Sequence, residues 1–536
     1  MIIYIDCETT GLNCNTDQIA LFQYKVNDEH VRLIRSPNIH EIHDILRKAH
    51  TIVGHNLSFD LGFIGYFVES HQTIEDTLYL DRIVNYTEES HSLDDVAKRV
   101  LGRDVYEGLD KKRLQKTDWT SLNLTKEQLD YAKLDVEILP EILKHLKAKL
   151  PRGLQPIYNF DRKSILAGLR IQSFGLPVLN EEVYEELTRV EVEVNTLKAS
   201  IAPLNANSPK QVTQALGIAS SGDRVLADLE AGGNTLAATI RKVRGQIKYL
   251  NFLSKLDESD LFFGTLQPAA RSGRFTSSKE NLQNLPRDTK RFIGSKDRVI
   301  ISADFAQLEL RTIAAITGDT TMCELFRSGE DLHNYAAKTL FGDNFTKEQR
   351  QIAKVFNFST LYGAGAATIG QILLTQTGIK LPEHQIQEYK RRWLRVFSGI
   401  AAWQREGSTR HALSIPWRTP HGRPYVSKMF TDHLSIENQG AGAEVARIAL
   451  HYILEHLPEG AYLINFVHDS YLVEAPNLAS IYKPACQVIY DGMKYAWDKA
   501  PFDKHGIEMP VDAAVAHNWK DADSLENCLY VMGDAV

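Results

Sequence analysis

Val299-Ile300-Ile301-Ser302-Ala303-Asp304-Phe305-Ala306-Gln307-Leu308-Glu309-Leu310-Arg311 opens with an apolar, β-branched run that reads as a buried strand. Asp304 stands where that strand ends, and a carboxylate there costs free energy unless something pairs with it; a divalent metal is the obvious partner. Further on, Arg350, Lys354, Phe358 and Tyr362 step by four. On a helix each step turns about 40° and rises about 6 Å, so the four residues form one slowly turning stripe about 18 Å long. Two cations followed by two aromatics suit a nucleoside triphosphate laid along the helix, phosphates at the Arg/Lys end and sugar and base at the Phe/Tyr end. Taken alone, the stripe is equally an amphipathic helix with charged and core residues. A third segment, Ala461 to Glu474, has two short strand-like runs around His468-Asp469, the pattern of a hairpin with a carboxylate at its tip. Asp304 and Asp469 are thus acids on separate strands, the pair that two-metal phosphoryl transfer needs.

Those three segments, Asp304 to Arg311, Arg350 to Gly363 and Val467 to Glu474, resemble motifs A, B and C of the DNA polymerase I family (family A), in the same order. The resemblance implies a right-hand polymerase in which Asp304, Asp469 and the backbone carbonyl of Phe305 hold two Mg2+ ions, with Mn2+ as a substitute. It places Gln307, Glu309, His333, Arg350, Lys354, Phe358 and Tyr362 around the incoming nucleotide, with Lys354 among the catalytic groups and Glu309 blocking a ribose 2′-OH. Arg271 to Pro286 resembles the family segment ahead of motif A, so Arg274, Asn281, Gln283 and Asn284 are expected at primer and template. Gln439 matches a glutamine that approaches the minor groove, where the acceptors are nearly independent of sequence. His468 is counted with the DNA contacts. One departure is Ser470, where many members have glutamate; a serine is no strong metal ligand, so the site rests on the two aspartates.

The first 150 residues alternate strands and helices, an α/β or α+β pattern around a mixed sheet. Strands are read over 2–6, 18–26, 31–35 and 51–53, helices over 38–49, from Phe59, and as one long run from 125 to 150. Asp6 and Glu8 are two apart and share a strand face. Asp60 opens a helix, and Tyr131 lies one turn before Asp135. Each acid alone is most simply a surface residue. Together they resemble the DEDD-type 3′–5′ exonucleases of the tyrosine subclass, of ribonuclease H-like fold, which implies two divalent ions on Asp6, Glu8, Asp60 and Asp135, with Tyr131 orienting the attacking water.

The expected organisation is an exonuclease domain over 1–150 and a polymerase domain over 151–536, with a thumb over about 180–260, a palm over about 261–318 and 420–536, and fingers over about 319–419. Arg241, Lys242, Arg244 and Lys248 form a basic run beside Tyr249; a solvated face is the plain reading, and the resemblance turns Arg241, Arg244 and Lys248 into phosphate contacts. The glycines of Gly363 to Gly370 follow a helix rather than a strand, which excludes a dinucleotide-binding turn.

The chain of 536 residues has a formal charge of −7, so DNA binding would need a locally basic cleft. Its five cysteines form no C-x-x-C pair, which fits a reducing compartment. No signal peptide or membrane span is read, and the sequence begins directly as a strand without the family's frequent 5′-nuclease domain. These features point to a monomeric phage or plasmid replicase in the cytoplasm, a host's if from a phage. Its partners would be primer–template DNA and dNTPs, and any helicase-primase, single-strand binding protein or processivity factor is unidentified. A phage-type RNA polymerase shares the Arg/Lys/Tyr helix and the His-Asp-Ser hairpin, but Glu309 and the exonuclease motifs speak against it. A nuclease with a DNA-binding but inactive second half is the remaining alternative, and the intact Asp304, Arg350, Lys354 and Asp469 oppose it.

Overall fold

The computed structural model describes residues 1–65, 68–121 and 123–533; the last three residues of the expected palm lie outside it. In the N-terminal strand Ile2–Thr9, Ile3, Ile5 and Cys7 are buried while Asp6 and Glu8 fall on the opposite face. This strand is the centre of a five-stranded sheet in the order Arg32–Arg35, Ile19–Val26, Ile2–Thr9, Thr51–Gly54, Thr73–Asp76. The first three strands pair antiparallel and the last two join in parallel. The helix expected from 125 to 150 is two. Thr125 and Gln128 form a capping box that starts Lys126–Glu137, and the chain restarts as Leu139–Lys149 with Pro140 in the first turn. Proline has no N–H to give the preceding turn and clashes with it, so the break falls there.

After the N-terminal domain comes the helix Gln155–Gln172. Its residues Ile157, Tyr158, Ile165 and Leu169 complete the N-terminal core, whereas Ala167 and Ile171 belong to the core of the C-terminal half. Gly168 lets this helix lie against the strand Thr265–Gln267, since a Cβ there would come within 2.3 Å of the Leu266 carbonyl oxygen.

The second sheet has the order Tyr462–Val467, Ser470–Pro476, Arg298–Phe305, Val511–Ala516, Tyr530–Gly533. Its neighbouring strands are all antiparallel. Ile301, Ala303 and Phe305 face a large core shared with helices Phe430–His456 and Ala479–Lys499. Helices Asn180–Ser200 and Thr235–Leu256 form a projecting pair, capped by Pro209–Leu216 and Asp223–Ala231 with a small core of Val212, Leu226, Ile240 and Val243. Between the central strand and the 27-residue helix, the chain makes six helices from Thr320–Ser328 to Ser398–Ala412.

The two halves are joined by buried charge. Asp161, on the shared helix, accepts hydrogen bonds from Arg423 at 2.6 and 2.9 Å and from Arg447 at 2.6 Å. Arg447 is fully buried and Asp161 nearly so. Removing one partner of such a pair leaves an uncompensated charge and typically costs about 3–5 kcal/mol. Asp161→Ala should therefore lower unfolding stability by about 3–5 kcal/mol in denaturant titration, far more than an exposed acid such as Glu181→Ala. Equal losses for the two variants would show that the buried arginines do not depend on Asp161.

Candidate active sites

The central strand Arg298–Phe305 sets Asp304 directly opposite Ser470. The neighbouring strands turn between Val467 and Ser470 through His468 and Asp469 alone, with His468 at φ 58°. A two-residue hairpin loop favours such left-handed backbone, and it lays Asp469 beside Asp304. Asp304 is exposed by surface area but is surrounded by the elements that carry Asp469, Asp523 and Lys290. Burial, then the charge of Asp469, push its carboxyl up to about 7. Burial and then Glu309 push Asp469 up to about 6, with Arg274 opposing. Two oxygen donors that resist ionising together, next to the Phe305 carbonyl, are a set that a hard divalent cation would relieve.

Gln307, at φ 57°, ends the strand and starts helix Leu308–Thr317, which presents Glu309 to the cleft. Glu309 Oε2 accepts from Tyr362 Oη at 2.5 Å, and its other oxygen accepts from Arg274. Asn438 Nδ2 donates to both the Glu309 carbonyl (3.1 Å) and Tyr362 Oη (3.0 Å). The predicted sugar-facing acid is therefore fixed by three elements. Asn438 was hidden beside Gln439 in the sequence, and its role shows only when the two helices meet.

The stripe residues lie on helix Lys347–Leu361 and its cap, Tyr362. Phe358 is 38% exposed and Lys354 is open to solvent. Arg350 donates through Nε to Asn334 Oδ1 at 2.5 Å and through its terminal nitrogen to Asp331 Oδ2 at 2.8 Å. Trp393 Nε1 donates to Asn357 Oδ1 (2.7 Å), which turns the Asn357 amide nitrogen onto His333 Nδ1 (2.8 Å). Burial keeps His333 below the usual histidine range, so the neutral ring keeps its proton on Nε2.

Gln283 Nε2 donates to the Phe466 carbonyl (3.1 Å), and Asn281 and Asn284 turn the same loop. Arg274 and His468 adjoin each other across Glu309 and Asp469, burial and then Arg274 holding the imidazole low. Gln439 is half-buried one residue after Asn438. In the projecting helices two of the expected basic residues have partners within the chain. Arg241 is paired with Asp223 (2.9 Å) and Glu230, and Arg244 donates to the carbonyls of Ala206 (2.7 Å) and Ser221 (2.6 Å). Both hold the helical tip together; of the three expected phosphate contacts, Lys248 stands exposed.

The second cluster lies in the N-terminal sheet. Oxygens of Asp6, Glu8 and Asp135 lie within 4.8 Å of one another. Asp60 completes the group from helix Leu57–Ile64, with its Oδ1 buried and without a hydrogen-bond partner. That helix is oriented by Asp76, which accepts from the backbone N–H of Asn56 (3.1 Å) and Leu57 (2.8 Å). Burial pushes Asp60 up to about 7. Asp6 is raised by burial, then by Asp60, Asp135 and Glu8; Glu8 rises by burial and then Asp135, while Lys111 pulls both down. The unpartnered oxygen and mutual repulsion fit divalent cations held by all four acids. The cleft above them holds about 1440 Å³ and is lined by Lys111, Lys112, Lys116, Tyr131 and Trp119.

A carboxyl raised in the folded chain stabilises it fully below its ordinary pKa, and that contribution is lost as pH rises through the folded value. For Asp304 the loss runs from about 3.8 to about 7. In chelator-treated protein Asp304→Asn should raise the melting temperature more at pH 8 than at pH 5. Calorimetry giving equal shifts at both pH values would exclude the repulsion as the cause.

A sequence model described as DNA polymerase family A matches residues 175–521, and one described as 3′–5′ exonuclease matches residues 2–151. DNA polymerase I of Aquifex aeolicus (strain VF5) is 28% identical over 526 residues, covering 88% of each chain. The thermostable DNA polymerase I of Thermus filiformis is 29% identical over 402 residues, which are 66% of this chain and 46% of that protein. A Mycobacterium phage DNA polymerase is 26% identical over 70% of this chain and 71% of its own. The fold is also that of the POL domain of Pol1 from M. smegmatis, solved in complex with DNA primer-template and dNTP, with a TM-score of 0.77, 17% identity and coverage of 97% of this chain and 96% of that one. The chain belongs to DNA polymerase family A, with a 3′–5′ exonuclease domain ahead of its polymerase domain.

Proposed function

We propose that Asp304 and Asp469, with the Phe305 carbonyl, hold two Mg2+ ions for adding dNTPs to a primer 3′-OH, and that Asp6, Glu8, Asp60 and Asp135 hold a second pair for removing mispaired 3′ ends. The observation that carries this reading is the two groups of repelling carboxylates in separate domains, one linked through Glu309 to Tyr362 at the end of the stripe and the other opening on a lysine-lined cleft. Bound divalent cations supply positive charge where negative charge develops during phosphoryl transfer.

The protein's own side chains do the rest. Triphosphate oxygens take Arg350 from Asp331 and Asn334 and meet Lys354 one turn on, with Gln307 and His333 at the flanks. The base lies against Phe358 and Tyr362. The sugar rests over Glu309, whose carboxylate Arg274 and Tyr362 hold still. Arg274, Asn281, Gln283, Asn284, Gln439, His468 and Lys248 steady primer and template. In the exonuclease site Tyr131 orients the attacking water. The working environment is the cytoplasm, with primer–template DNA and dNTPs as partners; among the described residues no helix is long and apolar enough to cross a membrane.

Asp304→Ala or Asp469→Ala should abolish primer extension and leave digestion of single-stranded DNA intact, and the double variant Asp6→Ala with Glu8→Ala should do the reverse. Extension by either palm variant within tenfold of wild type, or continued digestion by the double variant, would overturn the respective assignment. For sugar choice, a ribose 2′-OH would meet the clamped Glu309 carboxylate with no room for water. Glu309→Ala should raise rNTP incorporation relative to dNTP at least tenfold, about 1.4 kcal/mol in single-turnover assays. Unchanged discrimination would move the gate elsewhere.

A further inference from the structure

Tyr106 comes from the segment between helices Leu93–Leu101 and Lys111–Leu114, outside every exonuclease motif. It is 5% exposed, and its Oη donates to Asp135 Oδ1 at 2.5 Å. That is the short end of the range for an O–H···O hydrogen bond. Its surroundings hold it there. Asp104 Oδ1 accepts from the Tyr106 N–H at 3.0 Å. Lys111 Nζ lies 4.4 Å from the ring centroid and 3.1 Å from Asp94. The Tyr131 ring is tilted 6.1 Å away, backed by Trp119 at 6.3 Å.

We propose that Tyr106 is a positioning residue of the exonuclease: its O–H fixes the rotation of the Asp135 carboxylate, so that Asp135 meets Asp6 and Glu8 as one preformed cation site. A carboxylate on a helix side chain is otherwise free to swing about its terminal bond. Partners that orient a metal ligand commonly govern affinity or activity by about 10–100-fold. Tyr131 is a second, weaker hydrogen-bond partner of the same carboxylate, which leaves Tyr106 as its main anchor. This inference rests on the N-terminal cluster being the exonuclease site.

The test is Tyr106→Phe, which keeps the ring, its packing and the Lys111 contact while deleting the O–H. Equilibrium Mn2+ binding is read by electron paramagnetic resonance in an Asp304→Ala background, so that palm binding does not mask the result. Digestion of single-stranded DNA, primer extension and melting temperature are measured in the otherwise native chain. The expected result is Mn2+ binding weakened tenfold or more together with slower digestion, and extension and melting unchanged. Binding and digestion both within twofold of wild type would overturn the proposal, as would slower digestion with unaltered Mn2+ binding. The double variant Asp6→Ala with Glu8→Ala is the control: if it still digests DNA, the site assignment itself fails; if it does not, a silent Tyr106→Phe refutes the role of Tyr106 alone.

Discussion

Asp161 is the point at which two hydrophobic cores become one body. Burying a carboxylate is unfavourable unless it is paired and hydrogen-bonded. Here two arginines satisfy it, Arg447 from the long palm helix and Arg423 from the hairpin Trp417–Tyr425. Glu444 balances the second cation, with Arg423 Nε at 3.4 Å and His421 Nδ1 at 2.8 Å. The five residues come from three elements, so the cluster forms only when the helix Gln155–Gln172, the helix Phe430–His456 and the hairpin have met in register. It also reaches the chemistry. Arg447 donates to the Gly273 carbonyl (3.4 Å), and the next residue, Arg274, is clamped on Glu309. Gly273, at φ 81°, is required: a Cβ there would lie 3.1 Å from an Arg447 nitrogen.

The acids were legible in the sequence because strands and helices announce them locally. Asp6 and Glu8 share a face by the two-residue period, Asp304 ends an apolar run, and Asp469 sits between two short runs. Family resemblance then gave them roles. What could not be read has a common physical cause: the partner is distant in the chain. Arg423 meets Asp161 across 262 residues. Arg244 donates to two carbonyls 38 and 23 residues away, partners that a basic run alone does not reveal. Tyr106 lies in a stretch with no periodicity, so nothing local marks it. The Pro140 break is different, since its signal was present in the sequence and the helical pattern on both sides overrode it.

Both sites are regions of stored repulsion, and the fold offsets that cost elsewhere. Carboxyls raised to about 7 at Asp304 and at Asp60 are unfavourable in the metal-free chain. The strands that carry Asp304 and, in the other site, Asp6 and Glu8 are among the best buried parts of the molecule: Ile3, Ile5, Ile300 and Ile301 have essentially no exposure. A strand paired on both edges cannot shift to let two aspartates separate, so the repulsion stays available to a cation.

Ser470 belongs to the same balance. It lies directly across from Asp304 and one residue after Asp469. A glutamate there would add one more negative charge to a pair already raised to about 7 and about 6 with Glu309 and Asp523 nearby, and with Arg274 the cation opposing it at Asp469. Like charges at such spacing push each other's pKa further up. Serine avoids that penalty. The hairpin needs only a residue that tolerates the end of a two-residue loop, which serine does. The substitution therefore relaxes the electrostatics of the palm without altering the backbone that aligns Asp304 with Asp469.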